Sequence, residues 1–347
     1  MPSTLARFAL WPCLLLLACG SPGKKSAPDD DADTRDAVST DAPGDAPSTG
    51  DSSPDTAAPA CTTDPECAPG VCDGGQCWPA LAATVQVPAG PFWMGCDGTR
   101  DTQCESNGLG GYFDQPYHQV GVPAFAIDVL ETTVAEYAHC VASGSCTLPE
   151  DEPECTWGAG RTSTLPLTCV SFEQADAYCA WRGARLCTEA EWEKAARGGC
   201  ETLPADQQGD CGAHQRLNPW GDTAATCAVV VMSEDGTVEA GGCGAGWPLP
   251  VGSRPDGASP YGALDLVGNV GEWVYDCFES SYDGAPVDGT ARTDCVWPQG
   301  DWLSGKYRVH RGASWMHAQW FQRGAQRGAD PPTGTFTTVG IRCCVTP

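Results

Sequence analysis

Apolar and polar positions change rhythm along this chain, and each rhythm predicts an element. The run ATVQVPAGPFWMG (83–95) carries alternating apolar residues and a Pro-Gly turn, which reads as strand. AFAIDVLETTVAEYAHCVASG (124–144) reads as a strand, then Thr132 or Thr133 as N-cap with Glu136 in the first turns, then a short helix. Cys140 and Cys146 flank its end and are placed to close a small loop. The stretch SFEQADAYCAWRGARLCTEAEWEKAARGG (171–199) is the clearest helical region. Ser171 with Gln174, and Thr188 with Glu191, each form the capping-box pattern. Ala175, Tyr178 and Cys179 share one face of the first helix. Trp192, Ala195 and Ala196 face inward on the second, and Gly198-Gly199 stops it. Beyond this point Gly, Pro, Asp and Trp dominate and regular structure becomes sparse. The pattern predicts an α+β, irregular, loop-rich and disulfide-rich domain supported by its thirteen tryptophans.

The amino-terminal segment changes the setting. Arg7 precedes an apolar run, Phe8 to Leu17, too short to span a bilayer and of the length of a signal core. It ends in Leu16-Leu17-Ala18-Cys19-Gly20, the pattern a lipoprotein signal peptidase reads. Residues 1–18 are therefore read as a lipoprotein signal peptide and Cys19 as an acylated first residue, an anchor made stable by several chains. This predicts a lipid-anchored protein of the bacterial cell envelope, with Gly20 favouring the outer membrane. An ordinary secretory signal is the alternative. Residues 19–60 are nearly all Ala, Pro, Ser, Thr, Gly and Asp and read as a lipidated terminus and disordered acidic linker.

Of the 22 cysteines, loss of Cys13 with the signal and use of Cys19 for lipid leaves 20, an even number that suits disulfide pairing in an oxidising compartment. The spacings repeat no CxxC pair, which argues against zinc. Residues 61–80 hold Cys61, Cys67, Cys72 and Cys77 among Pro, Gly and Asp, a small disulfide knot with no core of its own. It reads as a spacer, with a binding module as the alternative. Residues 81–347 suit one large domain. A net charge of −26 excludes the basic face that nucleic-acid binding needs.

Several stretches in order resemble the formylglycine-generating enzyme family, the sulfatase-modifying-factor domain. They are VPAGPFWMG, DVLETTVAEYAHCV, CVSFEQADAYCAWRGARLCTEAEWEKAARGG, NPWGD, VGSRPDGASPYGALDLVGNVGEWVYD, RVHRGASW and GIRCC. Singly they are weak; the ordered set is specific and covers nearly all of 85–345. The resemblance implies an irregular C-type-lectin-like fold and an oxygen-dependent oxidation of a sulfatase cysteine to formylglycine. The family holds copper(I) between two thiolates, which suits a soft ion. Here the positions of those cysteines, after Gly312-Ala313-Ser314-Trp315-Met316, are His317 and Gln322. An imidazole can bind copper, but an amide is a poor partner for it, so the resemblance points to a domain without copper. By the same resemblance Cys343 pairs with Cys179, and Cys344 is then left for Cys187.

The resemblance also implies calcium, with Asn269 and Glu272 offering side-chain oxygens and Val267 and Gly268 carbonyls. A purely structural Gly-Asn turn is the alternative. A second ion would draw on Asp235, where the usual Ala-Asn element is absent. Ser314 and His317, three apart, read as polar residues satisfying a loop rather than as a catalytic pair. Arg311, Arg323, Arg327 and Asp330, with Trp315, Trp320 and Phe321, either line a polar cleft or pack as ion pairs in a loop-rich fold. The leading expectation is a lipid-anchored module that binds a peptide or protein ligand without oxidising cysteine. The alternatives are a retained formylglycine-generating oxidoreductase, an altered metal-dependent oxidation using His317, and a purely structural envelope module.

Overall fold

The computed structural model describes residues 60–68, 70–104, 113–159, 163–295 and 307–347. The segment read as a signal peptide, Cys19 and the stretch read as a linker, up to residue 59, lie outside the described residues. Residues 56–347 form one unit.

The knot is a hairpin of β1 (Val71–Asp73) and β2 (Gln76–Trp78), turned at Gly74-Gly75 and closed by Cys61–Cys72 and Cys67–Cys77. Its Trp78 ring stacks on His139 at 4.9 Å, and Asp73 lies 2.9 Å from His139 Nε2. The knot is thus seated on the helix that carries His139 rather than standing clear of the domain.

Strands β3 (Thr84–Val87) and β4 (Gly90–Met94) follow, separated at Pro88-Ala89. β5 (His118–Val122) pairs with β4, and β6 (Phe125–Asp128) pairs with β3, both antiparallel. Helix α1 (Val134–Ala142) starts at Thr133, whose hydroxyl accepts from Glu136 N while the Glu136 carboxylate accepts from Thr133 N. Helix α2 (Phe172–Trp181) repeats the reciprocal box with Ser171 and Gln174. β7 (Arg185–Leu186) leads to helix α3 (Glu189–Arg197), boxed by Thr188 and Glu191 and ended at Gly198, φ 86°. Each box satisfies two orphan N–H groups, which lets short helices form in a loop-rich chain.

β8 (Gly271–Cys277), β9 (Arg308–Arg311), β10 (Arg327–Asp330) and β11 (Val339–Gly340) make one four-stranded sheet in the order β10-β9-β8-β11. β12 (Cys343–Val345) lies between β6 and β7 in the other, ordered β3-β6-β12-β7. All nine residues of α3 are buried, including Glu189, Glu193, Lys194 and Arg197. Trp192 packs in one core cluster with Phe92, Phe125 and Val274; Tyr137, Tyr178, Trp273 and Ile341 belong to a second.

All 20 cysteines from Cys61 to Cys344 are in ten disulfides. Cys179–Cys343 and Cys187–Cys344 tie α2 and the entry of α3 to β12 across 164 and 157 residues. Cys140–Cys146 closes the end of α1.

Candidate functional site

The segment after β9 does two different jobs. Arg311 is fully buried, with Nη1 2.9 Å from Glu189 Oε1 and Nη2 2.5 Å from Glu193 Oε2. Arg327 holds Glu189 through Nε at 2.7 Å and Nη2 at 2.8 Å. Arg197 completes the set with Glu193 at 2.5 Å. Burial pushes the Glu189 carboxyl up, but Arg327 and Arg311 more than offset it and hold it below its usual range. These arginines are internal braces between α3, β9 and β10. Trp315 is buried too, its indole N–H donating to Thr337 O at 3.2 Å. Asp330 pairs with His310 at 3.0 Å. Of the two readings of this segment, packing holds for Arg311, Arg327, Asp330 and Trp315.

Trp320 and Arg323 do line a cleft, Arg323 while also buried in ion pairs, and Gln322, at one of the thiolate positions, lines it with them. A cleft of about 550 Å³ is lined by three turns, 100–103, 217–225 and 319–323. Trp320 stands 49% exposed on its wall, on a single 3-10 turn, with Phe321 behind it. Arg323 donates to Asp101 at 3.0 Å and to Asp114 at 3.1 Å, and its Nη1 is 3.0 Å from Cys96 Sγ. At the rim Arg100 pairs with Asp222 at 2.6 Å.

His317 and Gln322 occupy the positions of the family's thiolates, and both are engaged in bracing the loop. Ser314 Oγ lies 2.7 Å from His317 Nδ1. Burial lowers the His317 pKa to about 4, with His310 adding to the effect, so the imidazole is neutral at physiological pH. In a neutral ring one nitrogen donates and the other accepts, so Nδ1 either accepts from the Ser314 hydroxyl or donates to its oxygen. Ser314 Oγ also accepts from Met316 N and is buried, an arrangement that shapes a turn rather than presents a nucleophile. Gln322 Nε2 donates to Ser314 O and to His317 O, each at 2.9 Å. Two carbonyl acceptors fix which end of the amide is nitrogen. The amide therefore staples the loop that it closes.

Copper does not fit this donor set. No described cysteine is free, and a single imidazole beside a committed amide offers no pair of soft ligands. Among the described residues, the two groups of potential ligands that the fold gathers, Cys61-Cys67-Cys72 and Cys96-Asp101-Cys104, rest on sulfurs already in disulfides.

The turn expected to hold calcium is more complex than its sequence. Asn269, at φ 52°, donates from Nδ2 to Glu131 Oε2 at 2.8 Å, and its Oδ1 accepts from Leu249 N at 2.9 Å. Glu272 accepts from Trp192 Nε1 at 2.5 Å and from Arg342 Nε at 2.8 Å. Gly268 N donates to Gly312 O. Asp265 and Glu131, which local reading passed over, are buried close by. Burial raises the pKa of Glu131, Asp265 and Glu272 alike, and their mutual repulsion adds to this for Glu131 and Glu272. Arg342 lies among the three buried carboxylates, and Arg254 also acts on Asp265. Both oxygens of Glu131 and of Glu272 accept protein donors, and among the described residues the three do not form a group whose ligand atoms converge as for a metal. Asp235, considered for a second ion, is exposed, with Oδ1 accepting from Thr237 N at 2.9 Å.

An irregular α+β scaffold, clasped by disulfides and carrying a cleft built of turns, defines the C-type-lectin-like class of the formylglycine-generating enzymes. The chain belongs to that family: the sulfatase-modifying factor enzyme 1-like domain matches residues 75–347. It is 31% identical over 290 residues to hercynine oxygenase of Mycolicibacterium smegmatis, covering 76% of this chain and 61% of that protein, so it spans about three fifths of that relative's length. It is 28% identical to the bovine formylglycine-generating enzyme, covering 80% of this chain and 78% of that one. It is 29% identical to the murine inactive C-alpha-formylglycine-generating enzyme 2, covering 75% and 85%. Among solved structures, PvdO from Pseudomonas aeruginosa superposes with a TM-score of 0.54 at 26% identity, over 76% of this chain and 94% of that one.

Proposed function

We propose that the protein is a ligand-binding module of the cell envelope, held there by an acylated Cys19, in which the cleft has been kept and the cysteine-oxidising centre lost. One observation carries this reading. Where the family places its copper thiolates, His317 is tied to Ser314 and Gln322 is a structural staple, while every described cysteine is in a disulfide. A relative named as an inactive formylglycine-generating enzyme is consistent with such loss. Protein extracted from the membrane fraction should carry acyl chains on Cys19 by mass spectrometry. The same protein, given copper, a thiol reductant and oxygen, should leave a peptide bearing Cys-x-Pro-x-Arg unoxidised and should show no stoichiometric copper(I) complex. Conversion of that cysteine to formylglycine would overturn the reading.

The competing enzymatic reading rests on the oxygenases among the relatives and on the imidazole of His317. It requires oxygen consumption that disappears in His317→Ala.

Calcium belongs to the same proposal as a structural ion near Glu131, Asp265 and Glu272. Where it binds, it adds positive charge beside buried carboxylates whose pKa stays raised despite Arg342 and, for Asp265, Arg254. Thermal unfolding should then shift upward by several degrees in about 1 mM calcium relative to chelator, because a ligand of the folded state stabilises it by mass action. An unchanged midpoint in both buffers would remove calcium from the account.

A further inference from the structure

Resting on the reading of the cleft as a binding site, we infer that its ligand is an uncharged carbohydrate, stacked by a pyranose face on Trp320. Four observations select that chemistry.

The first is the exposed indole itself. A tryptophan left 49% exposed in a chain that buries Trp192, Trp273 and Trp315 is the informative exception on a surface. Its π face carries partial negative charge and accepts the weakly polarised C–H groups along one side of a sugar ring.

The second is what surrounds it. Thr102 and Thr223 contribute hydroxyls to the lining and Gln319 its amide oxygen, its Nε2 donating to Ala225 O, beside the small apolar contributions of Leu217, Ala224 and Ala225. The Asn218 amide is buried and engaged at both ends. Pockets for drug-like apolar ligands are mostly hydrophobic with a few polar groups. This one sets a single aromatic platform beside a few neutral hydroxyl and amide oxygens, which is the complement of a polyol.

The third is charge. The cleft's cations and anions are paired with one another: Arg100 with Asp222, and Arg323 with Asp101. The Asp222 carboxylate is further committed to Leu217 N, and the Asp101 carboxylate to Gln103 N. In a chain of net charge −26, this leaves a locally neutral surface that neither attracts nor repels a charged ligand.

The fourth is backbone geometry. The lining residues lie in turns, bends, isolated bridges, irregular coil and one 3-10 turn, and none belongs to a β-strand. Among the described residues no β-strand edge lines the cleft, so they offer an extended peptide no strand to add to. Recognition has to come from side chains and one ring face, as it does for sugars.

The test uses the full chain in detergent, titrated calorimetrically with cellotriose, maltotriose and triacetylchitotriose, and in parallel with the Cys-x-Pro-x-Arg peptide. At least one trisaccharide should bind saturably with a dissociation constant at or below about 1 mM, the range in which a few kcal/mol of association is measurable. Trp320→Ala should weaken it at least about tenfold, an expected loss of roughly 1.4 kcal/mol, and Trp320→Phe should recover part of the loss because a smaller ring still stacks. Because Trp320 is exposed on one 3-10 turn, the variant should keep its unfolding midpoint, which is measured alongside. Peptide binding that is sensitive to Trp320→Ala, with no response to any sugar, would overturn the carbohydrate assignment and leave the binding cleft. Failure of all four probes would overturn the assignment as well, and with it the binding reading would lose its support. Sugar binding unchanged in Trp320→Ala would place the sugar elsewhere and overturn the inference.

Discussion

Arg311→Ala should cost on the order of 3–5 kcal/mol of stability, the loss typical when one partner is removed from a buried ion pair. The size follows from what is left behind. Glu189 and Glu193 lie on α3 at 4% and 0% side-chain exposure, and each would lose a charged donor within 3 Å. Arg327 still holds Glu189, and Arg197 still holds Glu193, so neither carboxylate is abandoned outright. The Arg311 guanidinium also packs over Trp192 at 5.2 Å, so alanine removes volume from the core as well as charge. Arg311→Lys keeps the charge but cannot fork to two carboxylates and should fall between alanine and the native residue. Urea unfolding of the two variants measures this directly. An alanine variant within about 0.5 kcal/mol of the native protein, the scale of ordinary surface substitutions, would mean that Arg311 is not the brace described.

The second large effect is non-additive. Cys179–Cys343 and Cys187–Cys344 close long loops of 164 and 157 residues, but each also makes the other's loop short. With one bridge intact, the ends of the other are already held together through a ring of only about nine residues. Chain-entropy arithmetic then gives about 2–3 kcal/mol for removing either pair alone. Removing both releases the long loop as well, a further cost of about 5 kcal/mol. The paired-serine variants Cys179→Ser/Cys343→Ser and Cys187→Ser/Cys344→Ser should each fold. The quadruple variant should not survive at 37 °C, having lost about as much as the whole stability of a typical domain. A double-mutant comparison in urea tests it. Simple additivity of the two single-bridge losses would show that the two bridges do not share a loop in the unfolded chain.

Much of the local structure was legible because it is local. A capping box needs only a hydroxyl and a carboxylate or amide three residues apart, and Ser171 and Thr188 begin their helices on that basis; at the first helix, where Thr132 and Thr133 both offered a cap, the structure uses Thr133 in the same box. The alternation around Pro88 produced two strands for the same reason. The segment 311–330 was harder. Its composition is equally suited to a cleft and to a core, since an arginine lines one or braces the other depending on whether a carboxylate from elsewhere meets it. Glu189 and Glu193 lie 122 and 118 residues from Arg311. No window of sequence contains both halves of that pair. The same distance hid Glu131, which is 138 residues from the Asn269 whose amide it accepts.

Sequence by itself determined the family, through the order of its motifs, and the absence of thiols at His317 and Gln322, because a missing side chain needs no fold to be missed. It also determined where helices start, since capping is chemistry between near neighbours. Tertiary structure alone decided which arginines became braces and which reached the cleft, and how the vacated thiolate positions were reused as a loop staple. It alone left Trp320 in water beside a neutral wall of turns. The physical reason is that burial and charge pairing are properties of contacts between distant segments, and those contacts exist only once the chain has closed.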